Sequence, residues 1–133
     1  MMISTKGRYA LRVMIDLAEH FAEGYVPMKT VAARQNISLK YIEQIMPALS
    51  KNNLVEGIHG KGGGYKLSRN PKEYTVGEIL RLTEGDLAPV NCLKHNAPPC
   101  EKKQTCKTLS MWQDFFALTN NYFDGIKLSD LLG

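Results

Sequence analysis

The sequence lacks long apolar stretches, and its cysteines are few. None of its 133 residues belong to an apolar run long enough for a signal peptide or a transmembrane helix. A cytoplasmic protein is therefore expected. The three cysteines are an odd number, and all of them fall between positions 92 and 106. Because a reducing cytosol disfavours permanent disulfides, we expect metal, cluster or thiol redox chemistry at these cysteines.

Motifs of common catalytic and nucleotide-binding sites are missing as well. Gly60-Lys61 has Val55 where a P-loop has its first glycine, and no Ser or Thr follows the lysine. The absence of Cys-x-x-Cys weakens both a thioredoxin-like redox site and a zinc ribbon. No nucleophile–base pair and no paired carboxylates stand at an informative spacing. The sequence thus predicts a protein that is not an enzyme.

The composition favours one compact domain with a basic surface. Hydrophobic residues make up 44% of the chain, which is enough for an ordinary core. Seventeen Lys and Arg against thirteen Asp and Glu give a net charge of +4, which suits a polyanionic partner without requiring one. Lys6, Arg8 and Arg12 lie away from the apolar stripe of the first predicted helix, where phosphate contact and a merely solvated face both stay open.

Apolar residues recur at helical spacing in the first half of the chain. The first stripe comprises Ala10, Val13, Met14, Leu17, Ala18 and Phe21. It predicts a core helix that ends at Gly24. A short second helix is predicted over Met28–Gln35, after Pro27. Ser38 is a predicted N-cap for a third helix, and because the apolar pattern of that helix continues past Pro47, we expect a bend there rather than a stop.

The second half begins with a predicted hairpin. Two extended runs, Val55–Ile58 and residues 65–68, flank a glycine-rich basic tip. Thr75 and Glu78 predict a capping box at the start of a fourth helix. Residues 85–107 show no periodicity and predict a loop, which a long last helix follows. The aromatic stripe of that helix comprises Trp112, Phe115, Phe116, Thr119, Tyr122 and Phe123.

Three helices followed by a two-stranded hairpin is the order of a winged helix-turn-helix, so the predicted fold is mainly α with a small β-hairpin wing. Polar residues on or near the exposed side of the third helix can bind base edges or phosphates, namely Ser38, Lys40, Tyr41 and Gln44. Glu43 can accept from a cytosine amino group or repel phosphate. His59, Gly60 and Lys61 form a wing tip that can approach the backbone or the minor groove closely, and a merely flexible turn is the alternative.

Four segments carry a resemblance to a known family. They are ISTKGRYAL at residues 3–11, ISLKYIEQ at residues 37–44, GKGGGY at residues 60–65 and VGEI at residues 76–79. Together they resemble the winged-helix transcriptional repressors of the IscR, NsrR and CymR family, closest in pattern to the iron–sulfur cluster regulator IscR. The resemblance extends from the start of the chain to about Cys106. It implies a homodimer that reads a pseudo-palindromic operator with paired recognition helices and wings.

The resemblance also implies a division of labour along the chain. Residues 1–84 are expected to form the DNA-binding domain, residues 85–107 a cluster-binding loop, and residues 108–133 a C-terminal dimerisation helix. The residues that fit such a helix are Trp112, Phe115, Phe116 and Tyr122. Folding of this helix back onto its own domain stays open for some of them. By resemblance, major-groove readout belongs to Ser38, Tyr41, Glu43 and Gln44. His59 stands where IscR has a minor-groove arginine.

The three cysteines follow the winged-helix module directly. Cys92, Cys100 and Cys106 lie in the aperiodic loop, and thiolates are preferred ligands of iron–sulfur clusters. In the resembling family, three cysteines at this location bind a cluster. An iron–sulfur cluster on these residues is therefore expected, with 2Fe–2S favoured over 4Fe–4S.

The fourth ligand of such a cluster does not carry over from the family. The histidine ligand of IscR corresponds to Leu109, and the acidic N-terminal ligand of NsrR corresponds to Arg8. His95 and Glu101 lie near the cysteines in sequence and are candidates, as are a small thiol and another residue of the partner subunit.

The predicted function is that of a DNA-binding transcriptional regulator, expected to be a repressor, which senses iron–sulfur status, redox or nitric oxide through its cluster. The expected partners are a double-stranded DNA operator and a second copy of the chain, with no membrane. One alternative is a zinc-bound or thiol-redox regulator of cysteine or sulfur metabolism without a cluster. Another is a module that senses an enzyme of cysteine metabolism or of iron–sulfur assembly by binding it.

Overall fold

A computed structural model describes residues 2–133 and confirms a mainly helical fold with a hairpin wing. Its helices are α1 (Thr5–Glu19), α2 (Met28–Gln35), α3 (Leu39–Lys51), α4 (Val76–Glu84) and α5 (Leu109–Asp124). The strands β1 (Val55–Ile58) and β2 (Gly64–Leu67) pair antiparallel, and short 3-10 turns join several elements. In this part of the chain, no helix is long and apolar enough to cross a membrane.

The helix-turn-helix segment follows the sequence prediction closely. The helix α2 begins and ends at the predicted residues. Ser38 caps α3, because its Oγ accepts a hydrogen bond of 3.1 Å from the backbone N–H of Tyr41. The helix then continues past Pro47 to Lys51, so the prediction that Pro47 does not stop it is confirmed. Strand β1 has the predicted bounds, whereas β2 begins and ends one residue earlier than expected.

The helix α1 is shorter than its apolar stripe predicts. It ends at Glu19, and Phe21, which was expected in the buried stripe, lies in a 3-10 turn and is 42% exposed. The reason is local, because the backbone N–H of His20 closes the helix on Asp16 and the His20 Nδ1 atom lies 2.8 Å from the same carbonyl oxygen. Gly24 ends only the turn that follows, with a φ of +77°.

The core is built around α1, which contacts α2, α3, α4 and β2. Its buried apolar face comprises Ala10, Val13, Met14, Leu17 and Ala18. From α3, the buried residues are Ile42, Ile45, Met46 and Leu49. This packing fixes one face of α3, the predicted recognition helix, inside the domain and leaves the opposite face in solvent.

A buried charge joins α1 to the helix-turn-helix. Asp16 is 1% exposed, and its carboxylate accepts hydrogen bonds from Arg34 Nη2 at 2.7 Å and Nε at 3.1 Å. The side-chain amide of Gln35 donates to the same carboxylate at 3.0 Å. The hydrogen bond to Asp16 raises the pKa of Arg34. Since Arg34 and Gln35 end α2 just before the turn into α3, this contact positions the recognition helix relative to the core.

The segment after α5 returns to the first half of the fold. The backbone N–H of Val76 donates to Ile126 at 2.8 Å, and that of Leu128 donates to Tyr74 at 3.0 Å. The Leu128 side chain is completely buried in the main core. Residues 126–128 therefore pack as part of the winged-helix unit.

The predicted capping box at the start of α4 forms only in part. Thr75 Oγ1 accepts from the backbone N–H of Glu78 at 3.0 Å, as a cap should. The Glu78 carboxylate does not complete the box, because it pairs with Arg69 Nη2 at 2.7 Å. A charged partner from the preceding turn has replaced the backbone donor that the sequence motif suggests.

Candidate DNA-binding surface and cysteine loop

The exposed face of α3 carries most of the residues expected to contact DNA. Lys40, Glu43 and Gln44 are exposed, and Ser38 stands at the start of the helix. The Ser38 oxygen already accepts from the Tyr41 backbone, so its hydroxyl proton and its second lone pair are left for outside partners. This arrangement lets the start of α3 present all four polar side chains to solvent.

Tyr41 is more constrained than the other predicted contacts. It is half-buried, and its ring packs edge-on against Tyr9 with a centroid distance of 5.3 Å. A shallow cleft beside it is lined by Lys6, Tyr41, Gln44 and Ile45. The structure therefore brings Lys6 of α1 next to the recognition helix. Arg12, in contrast, donates to Gln35 and so serves the packing of α1 on α2.

The wing is held firmly at its base and exposed at its tip. Tyr65 of β2 exchanges two backbone hydrogen bonds with Val26, of 2.8 and 2.9 Å. A turn from Gly60 to Gly63 closes the hairpin with a hydrogen bond of 2.9 Å. His59, Gly60 and Lys61 are all exposed at this tip. Among residues 2–133, neither the His59 nor the Lys61 side chain forms a hydrogen bond or a salt bridge, so both are available to an outside partner.

A groove runs between the wing and the recognition helix, and we call it the wing groove. Its lining includes Leu39 and Glu43 from α3, His59 and Gly60 from the wing, and Lys29 from α2. The structure thus brings Glu43, His59 and Gly60 together, while Lys40, Gln44 and Lys61 lie outside this lining. The sequence analysis did not identify Lys29 as a candidate, because nothing but its position in the first turn of α2 distinguishes it from other lysines.

The three cysteines line a common cavity of about 310 Å³ between their loop and the start of α5. Cys92, Cys100 and Cys106 are all exposed and none forms a disulfide. As the loop stands, residues 2–133 contain no group of three or more His, Cys, Asp or Glu side chains close enough to hold one metal ion. The donor set nevertheless fits an iron–sulfur cluster in residue type, because all three cysteines line one cavity and thiolates are preferred ligands of such clusters. Binding would require the loop to close around it.

The two fourth-ligand candidates named from the sequence do not line this cavity. Neither His95 nor Glu101 is among its lining residues. The backbone N–H of His95 instead donates to Asp86 Oδ2 at 3.0 Å, while Asp86 Oδ1 accepts from the N–H of Ala88. These backbone hydrogen bonds lower the pKa of Asp86. Asp86 thus fastens the loop on the side of Cys92.

Cys106 lies just before α5, next to the hydroxyl group of Thr108. Its Sγ lies 3.6 Å from the Thr108 hydroxyl, and hydrogen bonding from this side chain and from the Thr108 backbone lowers the pKa of Cys106. The charge of Lys102 lowers it further. A lowered pKa favours the thiolate, which is the form that binds metal and reacts with oxidants.

The two faces of α5 have different surroundings. Phe116 and Phe123 pack against a small cluster of the same chain formed by Val76, Leu80 and Leu87. The opposite stripe is exposed, and we call it the α5 stripe: Met111, Phe115, Leu118 and Tyr122. The residues expected at a partner surface are therefore divided, since Phe115 and Tyr122 face outward while Phe116 covers its own domain. Leu118 and Met111 were not identified from the sequence.

The C-terminal half of α5 is joined to α4 by a salt bridge. Arg81 donates from two nitrogens to the Asp124 carboxylate, at 2.8 and 2.7 Å, and from Nη2 to Asn120 at 2.9 Å. The hydrogen bond to Asp124 raises the pKa of Arg81. The first turns of α5, which border the cysteine cavity, lie beyond this clamp.

Comparison with known proteins covers nearly the whole chain. The family described as "Rrf2: Iron-dependent Transcriptional regulator" matches residues 3–133. The HTH-type transcriptional regulator IscR of Aliivibrio salmonicida is 36% identical over 132 residues, which are 99% of this chain and 77% of the relative. IscR of Pectobacterium atrosepticum is 35% identical, covering 99% of this chain and 79% of the relative.

Two solved structures share both fold and sequence. CymR (YrzC), the global cysteine regulator of B. subtilis, matches with a TM-score of 0.82 at 34% identity, covering 98% of this chain and 95% of that chain. IscR of T. potens matches with a TM-score of 0.77 at 35% identity, covering 98% and 85%. Both likenesses include the cysteine loop and α5 as well as the wing.

Proposed function

The chain belongs to the Rrf2 family of DNA-binding transcriptional regulators, which are not enzymes, and from this premise we propose that it is a cytoplasmic, homodimeric repressor controlled by a 2Fe–2S cluster. In this proposal, residues 1–84 bind the operator and residues 85–107 hold the cluster. Of residues 108–133, α5 forms the dimer surface, while residues 126–128 pack with the winged-helix unit. The observation that carries the proposal is the wing groove, where Glu43 of α3, His59 of the wing and Lys29 of α2 line one surface.

The DNA-binding roles follow from what each side chain can donate or accept. Gln44 and Lys40 can reach base edges from the exposed face of α3, with Tyr41 held beside them. Lys61 at the wing tip is a flexible positive charge suited to phosphate. Glu43 lines the wing groove. A base that offers no hydrogen-bond donor there would leave the Glu43 carboxylate unpaired, so Glu43 can select against such bases.

Replacing Gln44 with Ala is expected to weaken operator binding by about 1 to 3 kcal/mol and to leave binding to random DNA unchanged. Replacing Lys61 with Ala should weaken binding to all sequences and flatten the salt dependence. Titrations at several salt concentrations, with an operator selected from random DNA, measure both effects. Gln104→Ala, an exposed glutamine of the cysteine loop, is the control. Equal loss on operator and random DNA for Gln44→Ala would contradict its role in readout.

Three observations support the cluster. The family is described as iron-dependent, the three cysteines line one cavity, and Cys106 is disposed toward its thiolate. Cys92, Cys100 and Cys106 would hold the cluster. When bound, a cluster of this kind supplies sensitivity to oxidants, nitric oxide and iron supply, through its redox state or its loss.

The loop is placed so that a change at the cysteines can reach the DNA-binding unit. Its first anchor, Asp86, comes two residues after Glu84, the last residue of α4. Glu84 in turn accepts from the backbone N–H and the hydroxyl of Ser4, which caps α1. A closed loop therefore acts on the start of α1, whose Lys6 borders the recognition helix. A coupling of about 1 to 3 kcal/mol would be enough to change operator affinity usefully.

Anaerobic purification tests the cluster directly. We expect coloured protein with equal amounts of iron and acid-labile sulfide, and colourless protein after replacement of all three cysteines with Ser. Wild type and the triple cysteine-to-serine variant should show the same far-ultraviolet circular dichroism, since all three cysteines are exposed. Colourless wild-type protein that contains stoichiometric zinc would overturn the cluster and favour the zinc-bound alternative.

The thiol-redox alternative rests on Cys106, which is exposed and has a lowered pKa. It predicts metal-free protein whose operator binding changes reversibly with oxidation. The other alternative, in which the protein senses an enzyme of cysteine metabolism or of iron–sulfur assembly by binding it, predicts a different response. There, the triple cysteine-to-serine protein would bind DNA normally and respond only when that enzyme is added.

A further inference from the structure

The cysteine cavity contains few side chains that can act as a fourth ligand. Apart from the three thiols, its lining is formed by Leu93, Ala97, Pro98, Pro99, Lys103, Leu109 and Gln113. Of these seven, only Lys103 and Gln113 carry a nitrogen or oxygen atom at the end of the side chain. Lys103 is exposed, and the ammonium group of a lysine has no lone pair to offer. The amide oxygen of Gln113 is the remaining donor.

Gln113 also has a suitable position in the fold. It follows Leu109 by four residues on α5, so the two side chains lie on the same side of the helix one turn apart. Leu109 and Gln113 both line the cavity, whereas His95 and Glu101 do not. Gln113 is exposed, and no hydrogen bond to another group of the described residues occupies its amide.

We propose that the side-chain oxygen of Gln113 completes the coordination of the cluster held by Cys92, Cys100 and Cys106. This inference rests on the cluster in the proposed function. A neutral amide oxygen is a harder and weaker ligand for iron than thiolate or imidazole. The site is therefore built with one labile position, and a stronger external ligand can displace Gln113 without displacing the cysteines.

The location of this ligand on α5 has a mechanical consequence. The α5 stripe begins at Met111 and continues through Phe115, on either side of Gln113 in the sequence. Ligation by Gln113 would join the cysteine loop to the first turns of α5, beyond the clamp that Arg81 forms with Asp124. Loss of the bond between Gln113 and the cluster would release the N-terminal end of α5 from the cysteine loop.

Cluster stability and spectroscopy test the proposal with the full-length protein, purified anaerobically. Gln113→Ala should keep the three cysteine ligands but lose its cluster to an iron chelator about tenfold faster than wild type. Gln113→His should retain the cluster longer and should show nitrogen hyperfine coupling in electron paramagnetic resonance of the reduced protein. Wild type should show no coupling to a histidine nitrogen. Gln104→Ala, which changes the same residue type within the loop, should behave as wild type.

Two further variants make the proposal refutable. His95→Ala and Glu101→Gln are expected to leave the spectrum and the rate of cluster loss unchanged. The ligand assignment is overturned if either of them changes these properties while Gln113→Ala does not, or if wild type shows histidine nitrogen coupling. Wild-type protein without iron and sulfide overturns the cluster itself, so failure of the proposed function is told apart from failure of the ligand. Thermal unfolding of the metal-free variants checks that each is folded.

Discussion

Replacing Gly64 with Ala is expected to lower the free energy of unfolding by about 3 to 5 kcal/mol and the melting temperature by roughly 10 to 20 °C. Gly64 begins β2 with a φ of +151°, a conformation that L side chains rarely adopt. A Cβ atom there would also collide with the backbone carbonyl of Val26 and with the nitrogen of Pro27. These are backbone atoms, so no side-chain rotation can relieve the contact.

The collision lies where the wing joins the helix-turn-helix. Tyr65, the next residue, exchanges both backbone hydrogen bonds with Val26, and α2 begins two residues later at Met28. A methyl group at Gly64 must therefore either separate the wing from this segment or distort the start of α2. Urea unfolding followed by circular dichroism measures the loss.

Gly62 provides the matched control for this substitution. It also has a positive φ, of +79°, but a Cβ atom there would meet nothing within 4 Å. Gly62→Ala should therefore show only the backbone cost, about 1 to 2 kcal/mol. Losses of equal size at the two positions would show that the close approach to Val26 contributes nothing to stability.

Local signals allowed the sequence to predict the helix-turn-helix and the wing. The bounds of α2, the Ser38 cap and strand β1 depend on nearest neighbours in the chain, and the structure confirms them. Where a distant or charged partner competes, the local pattern was wrong. Glu78 pairs with Arg69 rather than completing a capping box. Apolar spacing alone also missed the local closure of α1 at His20, which leaves Phe21 outside the helix.

The two functional regions of the second half show the same limit. Apolar periodicity identified α5, but it could not tell that Phe116 covers its own domain while Leu118 faces solvent. Proximity to the cysteines in sequence suggested His95 as a fourth ligand. In the structure its backbone N–H is bound by Asp86, and His95 does not line the cysteine cavity. Gln113 is seven residues after the last cysteine, and only the folding of α5 against the loop brings it to the cavity.

The α5 stripe is the surface that we propose for the homodimer. Its side chains recur every three or four residues, and Leu118 and Tyr122 are 67% and 63% exposed. Exposed apolar side chains in one continuous row are characteristic of a protein interface. A second copy of the chain is the natural occupant, because two recognition helices are needed to read a pseudo-palindromic operator.

Replacing Leu118 with Asp should convert the proposed dimer to a monomer and weaken operator binding by about 100-fold or more. A charge placed at the centre of the stripe would be buried without a partner on association, which strongly disfavours the dimer. The monomer would then bind one half-site at a time and lose the high effective concentration that tethers the second DNA-binding domain. Sedimentation equilibrium measures the first effect, and titration with full operator and isolated half-site measures the second.

Ala117→Asp is the control, because it adds the same charge on a neighbouring exposed residue of α5 that does not belong to the stripe. It should leave the dimer and the operator affinity unchanged. Leu118→Asp should also keep wild-type affinity for an isolated half-site, since α3 and the wing lie in a different part of the fold. A Leu118→Asp protein that remains dimeric would show that another surface joins the two copies. A monomer with undiminished operator affinity would instead show that a single recognition helix and wing are sufficient for binding.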